Sequence, residues 1–268
     1  MERYEDVVAV QEEFRPITHH PHKLMGICEF TTLLNADRKL CNWMAALPPF
    51  LLPESNHSSL ESPVAKRQHN ILRVRYLSIR LLLWRPLLAL VAASPDLLLG
   101  KSTSNRSGEA CEIVDTPIIH TIILKGACKC ILSAQEIINC LAENQHPDGK
   151  IDHQAPIPDW WENITSTFIC ALVLLAARLC PVDLIKQLPR GSKSVEDAWE
   201  KCTGLFSEYR KFDSKAGTYL VAIKSLANSV AEMASTNPPR AKDRESDAQP
   251  INDVTWLETL PNDLPCSV

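Results

Sequence analysis

Residues 71–84 read ILRVRYLSIRLLLW. Wound into a helix, Ile71, Leu72, Val74, Leu77, Ile79, Leu81, Leu82 and Leu83 cover more than one face. A helix that is apolar over so much of its circumference belongs at the centre of a bundle, with others around it. Upstream, Ser62-Pro63 has the chemistry of an N-cap and a first helical residue, where proline gives up no useful hydrogen bond. Downstream, Pro86 disfavours the α conformation in the residue before it, so the helix is predicted from Pro63 to Trp84, ending near Arg85.

Working outward, the same signals recur. Leu24 to Leu47 is weakly helical and stops at Pro48-Pro49, before the polar loop PESNHSSLES at 53–62. Residues 101–108, KSTSNRSG, read as a loop, and Asp115-Thr116-Pro117 opens a helix predicted to reach Leu141. Gly126 is its one weak point, because glycine is a poor helix former. His146-Pro-Asp-Gly149 is turn chemistry. Asp159 can cap a helix through Trp160, Trp161, Phe168, Leu172 and Leu175, ending at Cys180 before Pro181. Ser194 with Asp197 resembles a capping box for a helix to about Phe212. Asp213 or Ser214 can cap the last one, with Tyr219, Ile223, Leu226 and Val230 on one stripe. The expectation is an all-α chain: an irregular multi-helix bundle with flexible termini. Residues 1–23 form an N-terminal extension, 24–235 the helical domain, and 236–268 a linker and short acidic-apolar tail.

Composition excludes several alternatives. The 268 residues hold only 8 glycines but 19 prolines. Tight hairpins and phosphate loops need positive-φ glycines, so a hairpin-rich β fold or a Gly-rich nucleotide site is not expected. A net charge of −4 gives no overall basic surface for nucleic acid. The 10 cysteines sit mostly in apolar runs, and MERYEDVVAV at the amino terminus has no signal-peptide pattern. Free thiols in an intracellular, soluble protein are therefore expected, with no membrane partner.

No catalytic constellation emerges. G-x-S-x-G is absent, and so are the P-loop and G-x-G-x-x-G. Cys128-Lys-Cys130 would point two thiols roughly 200° apart on a helix, so they cannot share one metal ion. His19, His20 and His22 fall in a segment read as a mobile loop, and His120 among isoleucines reads as a hydrogen-bonded core or boundary histidine. No catalytic, cofactor or metal residue is assigned, and no enzyme activity is expected. Lys66, Arg67, Arg73, Arg75, Arg80 and Arg85 make the 63–84 helix the most basic element. Because it is also heavily apolar, these arginines are expected to snorkel or to pair with acidic neighbours.

Four landmarks in order carry a resemblance. Trp43-Met-Ala-Ala-Leu-Pro-Pro-Phe-Leu51 is similar to a W-x3-L-P element, and Ile71–Leu87 resembles an L-x-L-R-Y…R-I-L-L-x-R-P helix. Cys130-Ile-Leu-Ser-Ala-Gln-Glu-Ile-Ile138 resembles a C-x3-A-x2-I-I helix, and Trp160-Trp161 before Phe168 and the apolar run to Leu179 fits the next. The pattern is that of the helical middle homology domain of fungal binuclear zinc-cluster transcription factors, over about residues 35–235. Such factors bind DNA through a separate six-cysteine cluster, C-x2-C-x6-C repeated, which these residues do not contain. The resemblance is thus to the carboxy-terminal part of the domain, and direct DNA binding is not expected. It implies a transcriptional regulator in the nucleus, or also the cytoplasm. Its action would be through other transcription factors, coactivators or a homodimer, on a metabolic or secondary-metabolite gene cluster.

Two sets of residues are candidates for binding. Trp256, Leu257 and Leu260, flanked by Asp253, Glu258 and Asp263, read as an apolar anchor for a partner groove, or as a tail that folds back on the helical body. Trp84, Trp160, Trp161 and Phe168 read as lining of a small-molecule pocket, or as core. A ligand-sensing module and a truncated factor without its own activity are the alternative functions.

Overall fold

The computed structural model describes residues 27–48, 63–93, 117–144 and 160–236. The described elements are α1 (Ile27–Ala45), α2 (Pro63–Ala93), α3 (Pro117–Glu143), α4 (Trp160–Leu179), α5 (Val182–Ile185), α6 (Ser192–Tyr209) and α7 (Ser214–Thr236). No strand occurs among the described residues, and the chain is all-α as predicted. The His cluster near Pro21, the cap at Ser62, both polar loops, the 146–149 turn, the linker and the tail lie outside these residues.

The expected stop at Arg85 is corrected. α2 continues through Pro86 for two more turns. Proline inside a helix costs about 3 kcal/mol. Against that, Leu87, Leu88 and Val91 are all fully buried, and each such side chain contributes about 1.5–3 kcal/mol when removed from water. Packing of the extra turns outweighs the ring.

The centre of the body also shifts from the expected place. α2 packs against α1, α3 and α4, whereas α4 packs against α2, α3, α6 and α7. Every residue from Cys170 to Ala177 is at most 2% exposed, so α4 is the enclosed helix. It ends before Pro181 as expected, and Pro181 leads into α5, a single turn that the sequence did not announce.

Gly126 acquires a reason. A Cβ there would lie 2.5 Å from Leu87 Cδ1 and 2.6 Å from Trp84 Cε3, so only glycine lets α3 approach α2 this closely. α3 starts at Pro117 as predicted and ends at Glu143, two residues late.

The capping box at Ser194 is not formed. α6 begins at Ser192, after a reversal in which Arg190 (φ 65) and Gly191 (φ 56) take left-handed conformations. Ser194 Oγ instead donates to the Gly191 carbonyl (2.8 Å) and accepts from Gln135 Nε2 of α3 (3.1 Å), tying the reversal to the core. α6 ends at Tyr209 rather than Phe212, where Phe212 N–H bonds back to the Tyr209 carbonyl (2.9 Å). Asp213 caps α7 by accepting the Lys215 amide (2.8 Å). Ile223 and Val230 are buried, with Tyr219 and Leu226 half-buried, on the expected stripe.

By length and composition alone, Val64–Ala93, Pro117–Glu143 and Glu162–Leu179 could each cross a membrane.

Candidate functional site

α1 is amphipathic through Phe30, Leu33, Leu40 and Met44, all buried. The same stripe carries Asp37, which is only 7% exposed. A carboxylate at such a position must be hydrogen-bonded or paired. Asp37 Oδ1 accepts the indole N–H of Trp84 at 3.0 Å, and Oδ2 accepts from Lys129 Nζ at 2.7 Å. Arg80 Nε lies 3.6 Å from Oδ1. One carboxylate from α1 therefore ties together a tryptophan and an arginine of α2 and a lysine of α3.

The cations are held twice. Lys129 Nζ sits 4.4 Å from the Trp84 ring centroid, and Arg80 lies 6.0 Å from that of Tyr76. Both distances are those of cation–π contact. Tyr76 Oη also meets Cys41 Sγ of α1 at 3.8 Å. Burial, the largest influence, pushes the Tyr76 phenol up to about 12 against the pull of Arg80. The cluster is thus a polar clasp of α1 onto α2 and α3. Each oxygen of Asp37 already has a donor, which suits a positioning role rather than proton transfer.

The thiols form a second group of chemically capable side chains. Cys128 and Cys130 face opposite ways as their spacing requires: Cys128 S–H points to the Leu184 carbonyl of α5 (3.9 Å) and Cys130 to the Leu81 carbonyl of α2 (3.5 Å). Cys202 of α6 donates to the Thr167 carbonyl of α4 (3.5 Å). Burial pushes the thiols of Cys130, Cys170, Cys180 and Cys202 up, Cys180 to about 12. A nucleophilic cysteine needs the opposite shift. All described cysteines are free thiols, and no group of three or more His, Cys, Asp or Glu able to hold a metal occurs among the described residues.

The aromatic candidates are placed as follows. Trp84 is fully buried between Asp37 and Gly126. Phe168 stacks on Tyr219 of α7, with ring centroids 4.5 Å apart. Each therefore has its own packing partner. The side chains of Trp160 and Trp161, and all of Trp256, Leu257 and Leu260, lie outside the described residues. A cavity of about 10 Å³ lies among Ser78, Leu81, Leu82, Ile137, Ser166, Ile169 and Cys170, room for about one water.

Two of the basic residues of α2 have acidic partners, Arg75 at the surface and Arg80 further in. Arg75 pairs with Glu162 (3.7 Å) and Arg80 with Asp37 (3.6 Å). His120 is half-buried, but the hydrogen bond expected at its Nε2 is not found among the described residues.

Asp37 was missed by reading the sequence for motifs. The signal was there: Phe30, Leu33, Asp37, Leu40 and Met44 recur at three and four residues, so Asp37 interrupts an apolar stripe.

Comparison with protein-family models, with curated proteins and with solved structures gives no match.

Proposed function

We propose that this chain is a helical regulatory module of a fungal-type transcription regulator. It works in the nucleus through contacts with other transcription factors or coactivators, on a metabolic or secondary-metabolite gene cluster. The observation that carries the reading is where the resembling elements fall. The Ile71–Leu87 element is the inner part of α2, Cys130–Ile138 is the middle of α3, and the two helices meet at Gly126. Trp43 packs on the same core from α1, and Phe168–Leu179 is most of the enclosed α4. These elements supply much of the packed core, which is the use a helical regulatory body would make of them.

The chemistry of these side chains favours contact over reaction. The clasp carboxylate is engaged, and burial raises the inner thiols away from reactivity. A ligand-sensing module would have to displace Trp84 from Asp37 or Phe168 from Tyr219, whereas a protein partner needs only surface. DNA contact is left to partners, because Arg80 is paired within the body and Arg75 pairs with Glu162 at the surface. The long apolar helices are read as core rather than as spans. Their outward positions carry exposed Arg75, Lys125, Glu136 and Glu143, which suit water and not lipid.

The test is to delete the gene and measure transcripts of its genomic neighbours under inducing conditions. Loss of a co-regulated block is expected, and unchanged transcripts under every condition would remove the proposal. Genomic sequence upstream carrying an in-frame six-cysteine cluster would strengthen it.

A further inference from the structure

α2, α3 and α4 meet around the small cavity lined by Ser78, Ser166 and Cys170, with Ile137 and Ile169 on its apolar walls. Its volume of about 10 Å³ admits one molecule the size of water and nothing larger. Ser78 of α2 is 9% exposed and Ser166 of α4 is 7% exposed, so both hydroxyls are withdrawn from bulk solvent. A buried hydroxyl needs a hydrogen-bond partner. Inside a helix the usual one is the carbonyl four residues earlier. Thr121, Ser133, Thr167 and Ser207 all use it, at 2.8, 2.8, 2.6 and 2.9 Å. Ser78 and Ser166 do not. Both line the cavity, and neither hydroxyl has a hydrogen bond among the described residues.

These walls decide what can bind. An apolar guest would leave both hydroxyls unsatisfied, at the full cost of their desolvation. An ion would arrive without a counter-charge, because no acidic or basic side chain lines the cavity. Water matches, since it donates and accepts and so can bond a serine hydroxyl in either direction. Cys170 Sγ is a third, weaker partner on the same wall. Buried waters typically hold about three such partners.

We infer that the cavity is a binding site for one ordered water, hydrogen-bonded to Ser78 Oγ and Ser166 Oγ, which bridges α2 to the enclosed α4. Arg75 and Glu162 pair across the same two helices, but at the surface, where solvent screens the contact. The water supplies a buried counterpart. The same dimensions exclude a metabolite from this junction. The inference does not depend on the function proposed above.

A double-mutant cycle in urea unfolding, with a crystal structure of the full chain that shows ordered solvent, tests this. Ser78→Ala or Ser166→Ala alone leaves the water one partner short, whereas both together leave an apolar cavity that stays dry. The gain in helix propensity from each alanine is the same in both backgrounds and cancels in the cycle. The unfolding constant of the double variant should therefore be about tenfold smaller than the product of the two single effects. Density for one water within ~3.2 Å of both serine oxygens is expected in the parent, and none in the double variant. Additive effects would overturn the inference whatever the density shows. They are what two hydroxyls turned back on the Val74 and Glu162 carbonyls would give. Ser207→Ala is the control, because its hydroxyl bonds the Thr203 carbonyl. It should add with either serine, and coupling of the same size there would also overturn the bridge. So would a parent cavity without density, or a water bonded to one serine only.

Discussion

Replacing Gly126 by alanine tests the α2–α3 contact on which the architecture turns. In an open helix the change is favourable by about 1 kcal/mol, because alanine restricts the unfolded chain and suits the helix. Here the new methyl would meet Leu87 Cδ1 at 2.5 Å and the Trp84 ring at 2.6 and 2.9 Å. The leucine terminus could turn aside, but Leu87 is fully buried and has little room. The indole can yield still less, since its N–H is bonded to Asp37 and its face carries Lys129. Overpacking a filled core costs about 1–3 kcal/mol, and a rigid ring puts this site in the upper half of that range. Set against the helix gain, Gly126→Ala should destabilise by about 1–2 kcal/mol. Its melting temperature, followed by circular dichroism at 222 nm, should fall by about 3–6 °C. Gly204→Ala and Gly217→Ala are the internal controls, because a Cβ at either position meets nothing within 4 Å. Both should melt at or above the parent temperature. A Gly126→Ala protein at least as stable as the parent would refute the close approach of the two helices. A loss shared equally by all three variants would show that packing at Gly126 is not its cause.

The clasp predicts a graded series. Asp37→Ala leaves the Trp84 N–H and Lys129 without their acceptor and should cost about 2–3 kcal/mol in urea unfolding, whereas Asp37→Asn keeps an acceptor for the indole and should cost about half as much; equal, negligible effects would show that α1 is held by its apolar stripe alone. Alkaline pH should unfold the protein, because Cys128, Cys130, Cys140, Cys170, Cys180 and Cys202 are all raised by burial above their ordinary value of 9.0. The sign follows from proton binding: above pH 9 the unfolded thiols lose protons that the folded ones keep, so each removes about 1.4 kcal/mol of stability per pH unit until its folded value is reached. The urea midpoint should be flat from pH 6 to 8 and fall steeply by pH 10, and a midpoint still flat at pH 10 would contradict the burial of these thiols. Thiol-exchange labelling at pH 8 should modify Cys41, half-buried where the other described cysteines are buried, well before Cys130, Cys170 or Cys202, which wait for unfolding.

Which features could be read in advance follows from the range of the interactions that set them. The starts at Pro117 and of α7 are local events, fixed by a proline and by the Asp213 cap, and both were legible. The passage of α2 through Pro86 was not, because it depends on what covers Leu87, Leu88 and Val91 from other helices. Ser194 shows the same division. Its sequence context fits a capping box, yet the left-handed pair at Arg190-Gly191 reverses the chain earlier, and Gln135 of α3 claims the hydroxyl. Gly126 looked like a defect because a helix read alone contains no partner for it to approach. Asp37 lay in plain view on an apolar stripe, but its partners come from 47 and 92 residues away and carry no local signature.

That division bears on function as well. The side chains that looked most chemical in the sequence are engaged inside the body. Arg80 and Lys129 converge on Asp37, and Cys130 and Cys202 bond backbone carbonyls of neighbouring helices. Each of these contacts joins two helices and so fixes their relative placement. A body built in this way offers other molecules its outer faces, and what those faces present is set by residues that the core did not need. On α7 these are Lys215, Val221 and Lys224, with Phe212 at the head of the helix. None lies in a recognisable motif, and their spacing on one face becomes visible only once Ala216, Leu220 and Ile223 are known to point inward. The same logic separates the two kinds of substitution to be made in this protein. Changes at Asp37 or Gly126 should be read out in stability first and in partner binding only through it. Changes at Val221, which is 70% exposed, should leave the melting curve unmoved, and that contrast distinguishes an outer face from a core that holds the body together.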